Sequence, residues 1–222
     1  VWLPDYLKDF PEKQDVLRYV LTINAPENKD NDFTWKDFQN RNNGELVAIL
    51  GNFINRVVVL TKKYYDSVIP DPNDLNDVDN EIIVSVNDAV KKIEKLVSQF
   101  KFRDACTEFI NIARFGNKYL ADEEPWKLIN VDPERVKTIL FIALHISSTL
   151  SIVSEPFLPF TSKKIKFILN SQDHSLKWNW ENLVNEKFLI SNGVIINQPE
   201  LLFTRIEDSE IQYQIDKLKN NN

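Results

Sequence analysis

The stretch ELVAILGNFINRVVVL, Glu45 to Leu60, decides how the rest of the chain is read. Leu46, Val47, Leu50, Phe53, Ile54, Val57 and Val58 recur at the intervals that gather apolar side chains on one face of a helix. Val57 to Leu60 would pass for a strand on β-branching alone, but the helical phase runs on both sides of it. Asn52 and Arg56 interrupt the apolar pattern. They sit four apart, roughly 400° of helix at 3.6 residues per turn, so an amide and a guanidinium project from nearly one face. Two readings fit the pair. Either Asn52 links helices while Arg56 meets an acid, or both face a ligand that needs them together.

Outward from this stretch, the helix extends from Thr34 to the stop signals Pro70 and Pro72. Upstream, DYLKDFP stops at Pro11, and EKQDVLRYVLTIN puts Val16, Leu17, Val20 and Leu21 on one side; the polar loop APENKDNDF follows. Downstream, EIIVSVNDAVKKIEKLVSQF reads as a helix. KFRDACTEFINIARFGNKYL reads as the next, with its terminus expected near Gly116 to Leu120. Asp132 is a candidate N-cap with Pro133 at the first helical position, and the apolar run Val136 to Val153 predicts the most buried helix. TSKKIKFIL predicts a shorter amphipathic helix. SQDHSLKWNWENL and ISNGVIINQPELLF read as irregular, with room for an extended piece that would put Trp178 and Trp180 on one side, covering the end of the core. Ile211, Ile215 and Leu218 form the apolar stripe of a closing helix. Helices joined by short links predict an all-α antiparallel bundle. The expected divisions are a leading segment 1–33, a bundle 34–170, and an irregular segment with a terminal helix, 171–222, the helix folding back on 1–30.

Composition excludes several functions. With 43% hydrophobic residues, 14 Phe and 5 Trp, the 222-residue chain has ample core material. Its 4 glycines, Gly44, Gly51, Gly116 and Gly193, are too far apart for a glycine-rich phosphate loop. The single Cys106 excludes an internal disulfide and a cysteine-rich zinc site. Two histidines, His145 and His174, are thin material for a metal site or a triad. Cys106 with His145 could be drawn as nucleophile and base, yet a small buried residue in RDACTEFINIA fits Cys106 better. Cysteine usage and the absence of a signal-like segment predict a cytoplasmic location. No run approaches 18 apolar residues, so no membrane span is expected. The net charge of −6 argues against broad phosphate-backbone binding and leaves room for a local, base-specific site. Val1 and the closing KLKNNN read as the ends of a piece cut from a longer chain.

Trp126 lies in DEEPWKL, where Pro125 fixes the backbone before it and flanking charges suggest exposure. A packed corner and a contact surface both suit it. Flat aromatics stack on unpaired bases, while Asn and Arg hydrogen-bond base edges. Asn52, Arg56, Trp126 and Pro125 are therefore the candidate set for reading single-stranded RNA.

With these residues assembled, the chain resembles the C-terminal part of bacterial methionyl-tRNA synthetases. YLKDFPEKQDVLRYVLTINAPENKDNDFTWKDF is similar to the region after the family's KMSKS loop, and RNNGELVAILGNFINRVVVLTKKYYDSVIP to the first long helix of its anticodon-binding domain. NKYLADEEPWKL and EPFLPFTSKKI resemble later landmarks; the similarity is weakest over 171–200. The resemblance implies that Asn52 and Arg56 face the first anticodon base, a cytosine, and that Trp126 after Pro125 stacks on it. It implies a class I anticodon-binding helix bundle, the CAU anticodon loop of methionine tRNA as partner, and the family's own catalytic domain as a second. The chain has no HIGH-like tetrapeptide and no KMSKS-like loop. The ATP, Mg and methionine sites, and any zinc, are thus expected upstream of Val1, with no cofactor in this piece and no activity from it alone. A homodimer through a region beyond residue 222 is compatible with the resemblance. Two alternatives stay open: the anticodon-binding domain of another class I synthetase, and a helical protein-interaction module supported by the acidic balance and the terminal amphipathic helix.

Overall fold

The computed structural model describes residues 2–27, 32–171, 178–185 and 187–220. Eleven α-helices are present among them: α1 Leu3–Asp9, α2 Gln14–Ile23, α3 Trp35–Arg41, α4 Asn52–Tyr65, α5 Asp77–Ser98, α6 Phe102–Glu123, α7 Pro125–Leu128, α8 Pro133–Val153, α9 Pro159–Ile168, α10 Trp180–Asn185 and α11 Asp208–Asn220. No strand forms among the described residues beyond an isolated antiparallel bridge between Val68 and Ile195. The all-α expectation holds.

The decisive stretch is one continuous helix from Trp35 to Tyr65, but not a uniform one. Thr34 caps it, its hydroxyl accepting from the Asp37 N–H at 3.1 Å. Between α3 and α4, Asn42–Gly51 winds as a π-helix. There N–H groups reach back five residues instead of four, which widens the turn. Asn42, Leu46 and Leu50, every fourth residue, fall on one buried line. The regular phase expected through this stretch is therefore corrected: the pattern of apolar residues resembles an α-helix, while the backbone takes the wider winding. Ordinary α geometry resumes at Asn52, and Asp66, in the left-handed region at φ 50°, ends the helix.

α8 is the centre of the bundle. All its residues from Thr138 to Val153 are buried. Its four polar residues near the C-terminal end are satisfied within the helix: the hydroxyls of Ser147, Ser148, Thr149 and Ser151 donate to carbonyls of the preceding turn at 2.7–3.1 Å. By length and composition α8 and the Trp35–Tyr65 helix could each cross a bilayer, but 94% of the apolar stretch of α8 is buried inside the protein. Its apolarity is that of a core helix. The other helix buries its apolar residues Phe53, Ile54, Val57 and Val58 and carries Asn52 and Arg56 along its length.

α5 and α6 form an antiparallel hairpin against α8. A capping box starts α5: the Asn76 side chain accepts from the Asp79 N–H, and the Asp79 carboxylate accepts from the Asn76 N–H. α6 runs to Glu123, past the terminus expected near Gly116 to Leu120. Gly116 lies inside it because a β-carbon there would stand 2.4 Å from the Phe53 ring. The glycine is there for close approach of α6 to α4, not for a chain stop.

α2 packs on α6, α3 and α9. Asp15 of α2 caps the start of α9, accepting from the N–H and hydroxyl of Thr161 at 2.6 and 2.7 Å. The closing helix α11 does fold back: Gln214 and Lys217 bind Asp9 at 2.8 and 2.9 Å, and Gln39 donates to Asp208 at 2.9 Å. Trp178 is buried and Trp180 half-buried at the start of α10, so the pair stands at a helix entrance and not along an extended piece. His174 lies outside the described residues.

Candidate nucleic-acid interface

The first turn of α4 after the π-helical stretch presents Asn52 to solvent, with Arg56 half-buried one turn on. The guanidinium carbon of Arg56 lies 5.2 Å from the centroid of the Trp126 ring. This is cation–π distance, and no hydrogen bond or ion pair occupies the guanidinium N–H groups among the described residues. Among the described residues no carboxylate lies within ion-pair distance of Arg56. Trp126 keeps 38% of its surface exposed, so part of the indole is free to receive a flat ligand.

The turn before Trp126 is built to hold it. Glu124 ends α6 in the left-handed region at φ 44°, turning the chain directly into α7, whose first residue is Pro125. Pro125 is buried and its fixed φ suits a first helical position. The Lys127 ammonium closes the loop on Glu124 at 2.7 Å. Beneath this turn sits a charged cluster. The Arg135 guanidinium donates to Asp79 at 2.8 Å and to Glu123 at 2.6 Å, and the Tyr119 hydroxyl donates to Asp79 at 2.6 Å. Burial alone would raise the Asp79 pKa, but hydrogen bonds from Arg135, Tyr119 and the Asn76 N–H outweigh it and hold the carboxyl below its ordinary value. The cluster ties the start of α5, the end of α6 and the start of α8 together. Trp126 thus leaves a clamped corner.

Asn52 is joined to α6. Its Nδ2 donates to Asn117 Oδ1 at 3.2 Å, and Asn117 Nδ2 donates in turn to the carbonyls of Ile49 and Ala113 at 2.9 and 3.0 Å. Among the four residues singled out from sequence, Asn52 and Arg56 stand one turn apart on α4, Arg56 contacts Trp126, and Pro125 precedes Trp126 at the start of α7. Of the alternatives open at the outset, Asn52 does link helices, while Arg56 has an aromatic and not an acidic partner. Cys106 and His145 form no such site. Burial raises the Cys106 thiol far above its ordinary value and pushes the His145 imidazole down to about 4, and no hydrogen bond joins them among the described residues.

The arrangement offers an aromatic face, a guanidinium free to donate and an amide, the equipment for one unpaired base. A family model described as the anticodon binding domain of methionyl tRNA ligase matches residues 69–221, and one for class I tRNA synthetases (M) matches 1–58. The chain belongs to the methionyl-tRNA ligase family. It is 56% identical over 221 residues to the methionine–tRNA ligase of Christiangramia forsetii, covering 99% of this chain and 32% of that protein. It is likewise 56% identical to that of Phocaeicola vulgatus over 98% of this chain and 31% of the relative. The chain thus spans about a third of the length of the curated relatives it matches. The fold is shared with Mycobacterium tuberculosis methionyl-tRNA synthetase: the free-state structure superposes with a TM-score of 0.77 at 20% identity, over 87% of this chain and 39% of that one. A structure of that enzyme bound by methionyl-adenylate gives 0.79 at 20% identity, over 86% and 37%.

In this methionyl-tRNA ligase domain two residues that pack behind the candidate site escape a reading of the sequence, Asn117 and Gly116. RFGNKY looks like a helix end, since glycine followed by asparagine commonly stops one. The usable signal was the apolar phase continuing through Tyr119 and Leu120, which a helix end at Gly116 would leave unexplained.

Proposed function

We propose that this chain reads the first base of the anticodon, a cytosine, in tRNA carrying CAU, and that it does so as the recognition part of a cytoplasmic enzyme that attaches methionine to tRNA with ATP. Asn52 and Arg56 supply the hydrogen bonds to the base edge, Trp126 the stacking face, and buried Pro125 the backbone that holds Trp126 in place. The observation that carries this reading is the Arg56 guanidinium lying 5.2 Å over a partly exposed Trp126 ring without a carboxylate partner among the described residues. A buried or half-buried cation is ordinarily paired; one oriented by an indole alone has donors to give a ligand. The chain carries neither a HIGH-like nor a KMSKS-like motif, so the adenylation chemistry belongs to the part of the family's length that this chain does not span.

That remaining part is the second partner proposed. An apolar groove of about 760 Å³ lies between α1, α2, α3 and α11, lined by Leu3, Leu17, Leu21, Phe33, Trp35 and Leu218. Except for Ile215 and Leu218 of α11, the lining falls within the residues matched by the class I synthetase model, and apolar surface of this kind is normally covered.

Binding of RNA stem-loops that differ only in the first anticodon base, CAU against GAU, tests the base-reading function. A single good bidentate contact is worth about 1–3 kcal/mol of discrimination, judged by base recognition in DNA. Preference for CAU of that order is expected, and equal binding overturns the proposal.

A further inference from the structure

We infer that Asn117 is a positioning residue that fixes which way the Asn52 amide faces, and thereby gives the site its preference for a pyrimidine bearing an exocyclic amino group. The inference rests on the base-reading function proposed above. Asn117 Nδ2 lies 2.9 Å from the Ile49 carbonyl and 3.0 Å from the Ala113 carbonyl. Both are pure acceptors, so the nitrogen end of Asn117 has to face them. Its Oδ1 is then turned toward Asn52 and accepts from Asn52 Nδ2 at 3.2 Å. Asn52 is left with its own Oδ1 unpartnered among the described residues, on an exposed side chain. Flipping Asn52 alone would bring two amide oxygens together. Flipping both residues would set the Asn117 oxygen against two carbonyls. Only one orientation satisfies all four groups.

The π-helical stretch supplies one of the anchors. Ile49 lies just before the junction where five-residue bonding gives way to four-residue bonding, and its carbonyl takes the Asn117 N–H from α6. Gly116, next in sequence to Asn117, allows α6 to approach α4 closely enough for this bridge.

An outward amide oxygen accepts, and the Arg56 guanidinium beside it donates. Cytosine matches that pair: its 4-amino group donates, while its N3 and O2 accept. Uracil carries an oxygen at position 4 and a hydrogen on N3, so it sets acceptor against acceptor and donor against donor. Asn117, which touches no base in this scheme, is what keeps Asn52 from turning over to accept uracil.

The test compares affinities for stem-loops with CAU and UAU anticodons across the unaltered protein, Asn117→Ala and Asn117→Asp, with circular dichroism and thermal unfolding alongside. The unaltered protein is expected to prefer CAU. Asn117→Ala should keep the helical signal and lose on the order of tenfold of the preference, the effect of one hydrogen bond set free. Asn117→Asp places a carboxylate against two carbonyls and should be the less stable variant. It can still only accept from Asn52 Nδ2, so the CAU preference should stay near that of the unaltered protein. A merely structural Asn117 predicts the opposite order, with the more disruptive Asp losing more. An unchanged CAU-to-UAU ratio in Asn117→Ala, or a ratio in Asn117→Asp no better than in Asn117→Ala, overturns the role of Asn117 while base reading survives. Equal binding of CAU and UAU by the unaltered protein overturns base reading itself.

Discussion

Arg56 on α4 and Trp126 on α7 hold one another: the guanidinium carbon sits 5.2 Å from the ring centroid, and this contact orients both before any ligand arrives. Its expected energetic signature is coupling. Trp126→Ala should weaken binding of the CAU stem-loop by about 1–3 kcal/mol through lost stacking. Arg56→Lys should weaken it too, since a lysine cannot reproduce the planar fork of donors. Combined, the two losses should fall short of their sum by about 0.5–1 kcal/mol, the worth of an exposed cation–π contact. Fluorescence titration of both single variants and the double variant reads this directly, with helical circular dichroism unchanged. Strict additivity would mean that Arg56 and Trp126 act on the RNA independently.

Gly116→Ala is expected to damage the site from behind. The added β-carbon would lie 2.4 Å from the Phe53 ring, which is itself fully buried and cannot move aside freely. Overpacking of this kind costs about 1–3 kcal/mol, read as a lower melting temperature. Adding Phe53→Leu should recover part of the loss by making room. A Gly116→Ala protein as stable as the original would show that α4 and α6 can separate at no cost.

The contrast between these residues explains what was readable in the sequence. Asn52, Arg56 and Trp126 announce themselves because they are polar or exposed aromatic groups at positions where an apolar pattern or a proline sets the expectation. The antiparallel bundle was readable for the same reason: burial of α8 follows from the apolar stretch Val136 to Val153, whose interruptions after Lys137 are only small hydroxyl residues and one histidine. The π-helical winding of Asn42–Gly51 was not, because residues recurring every fourth position suit either winding and the choice is made by packing of Leu46 and Leu50 against other helices. Gly116 and Asn117 were hidden because their partners, Phe53, Asn52 and Ile49, are remote in sequence. A glycine's use in close approach cannot be separated from its use in a turn until the neighbour is known.

The Arg135 cluster should prove a stability element with an acid-sensitive arm. Arg135→Met leaves the buried Asp79 carboxylate without its main partner, and breaking such a pair from one side costs about 3–5 kcal/mol. Asp79 has a depressed pKa in the folded state, so its contribution is present above the unfolded value of about 3.9 and is lost as pH falls through the folded value. Urea unfolding of the original protein should therefore show an extra loss of stability below about pH 4 that Asp79→Asn lacks. Because the cluster also fixes the turn into α7, Arg135→Met should weaken stem-loop binding without touching RNA.

His145 should give a second, separate acid transition at higher pH. It is buried in α8 with both ring nitrogens unpartnered among the described residues, its ring meeting Phe188 edge-on at 5.0 Å. Burial disfavours the imidazolium and pushes the folded pKa down to about 4, whereas the unfolded chain takes up its proton near about 6.5. The folded state is thus the weaker proton binder between those values. Stability from the neutral ring is complete above about pH 6.5 and falls as pH drops toward about 4, by a total on the order of 3 kcal/mol. Below that the contribution is spent, so Asp79 takes over where His145 stops. His145→Leu removes the titrating group and two unpaired nitrogens while keeping an apolar side chain in the core. Its unfolding free energy should be nearly flat from about pH 7 to pH 5, where that of the original protein declines. Parallel curves for the two proteins across this window would show that the imidazole is hydrated or paired in solution, and the burial argument would fail.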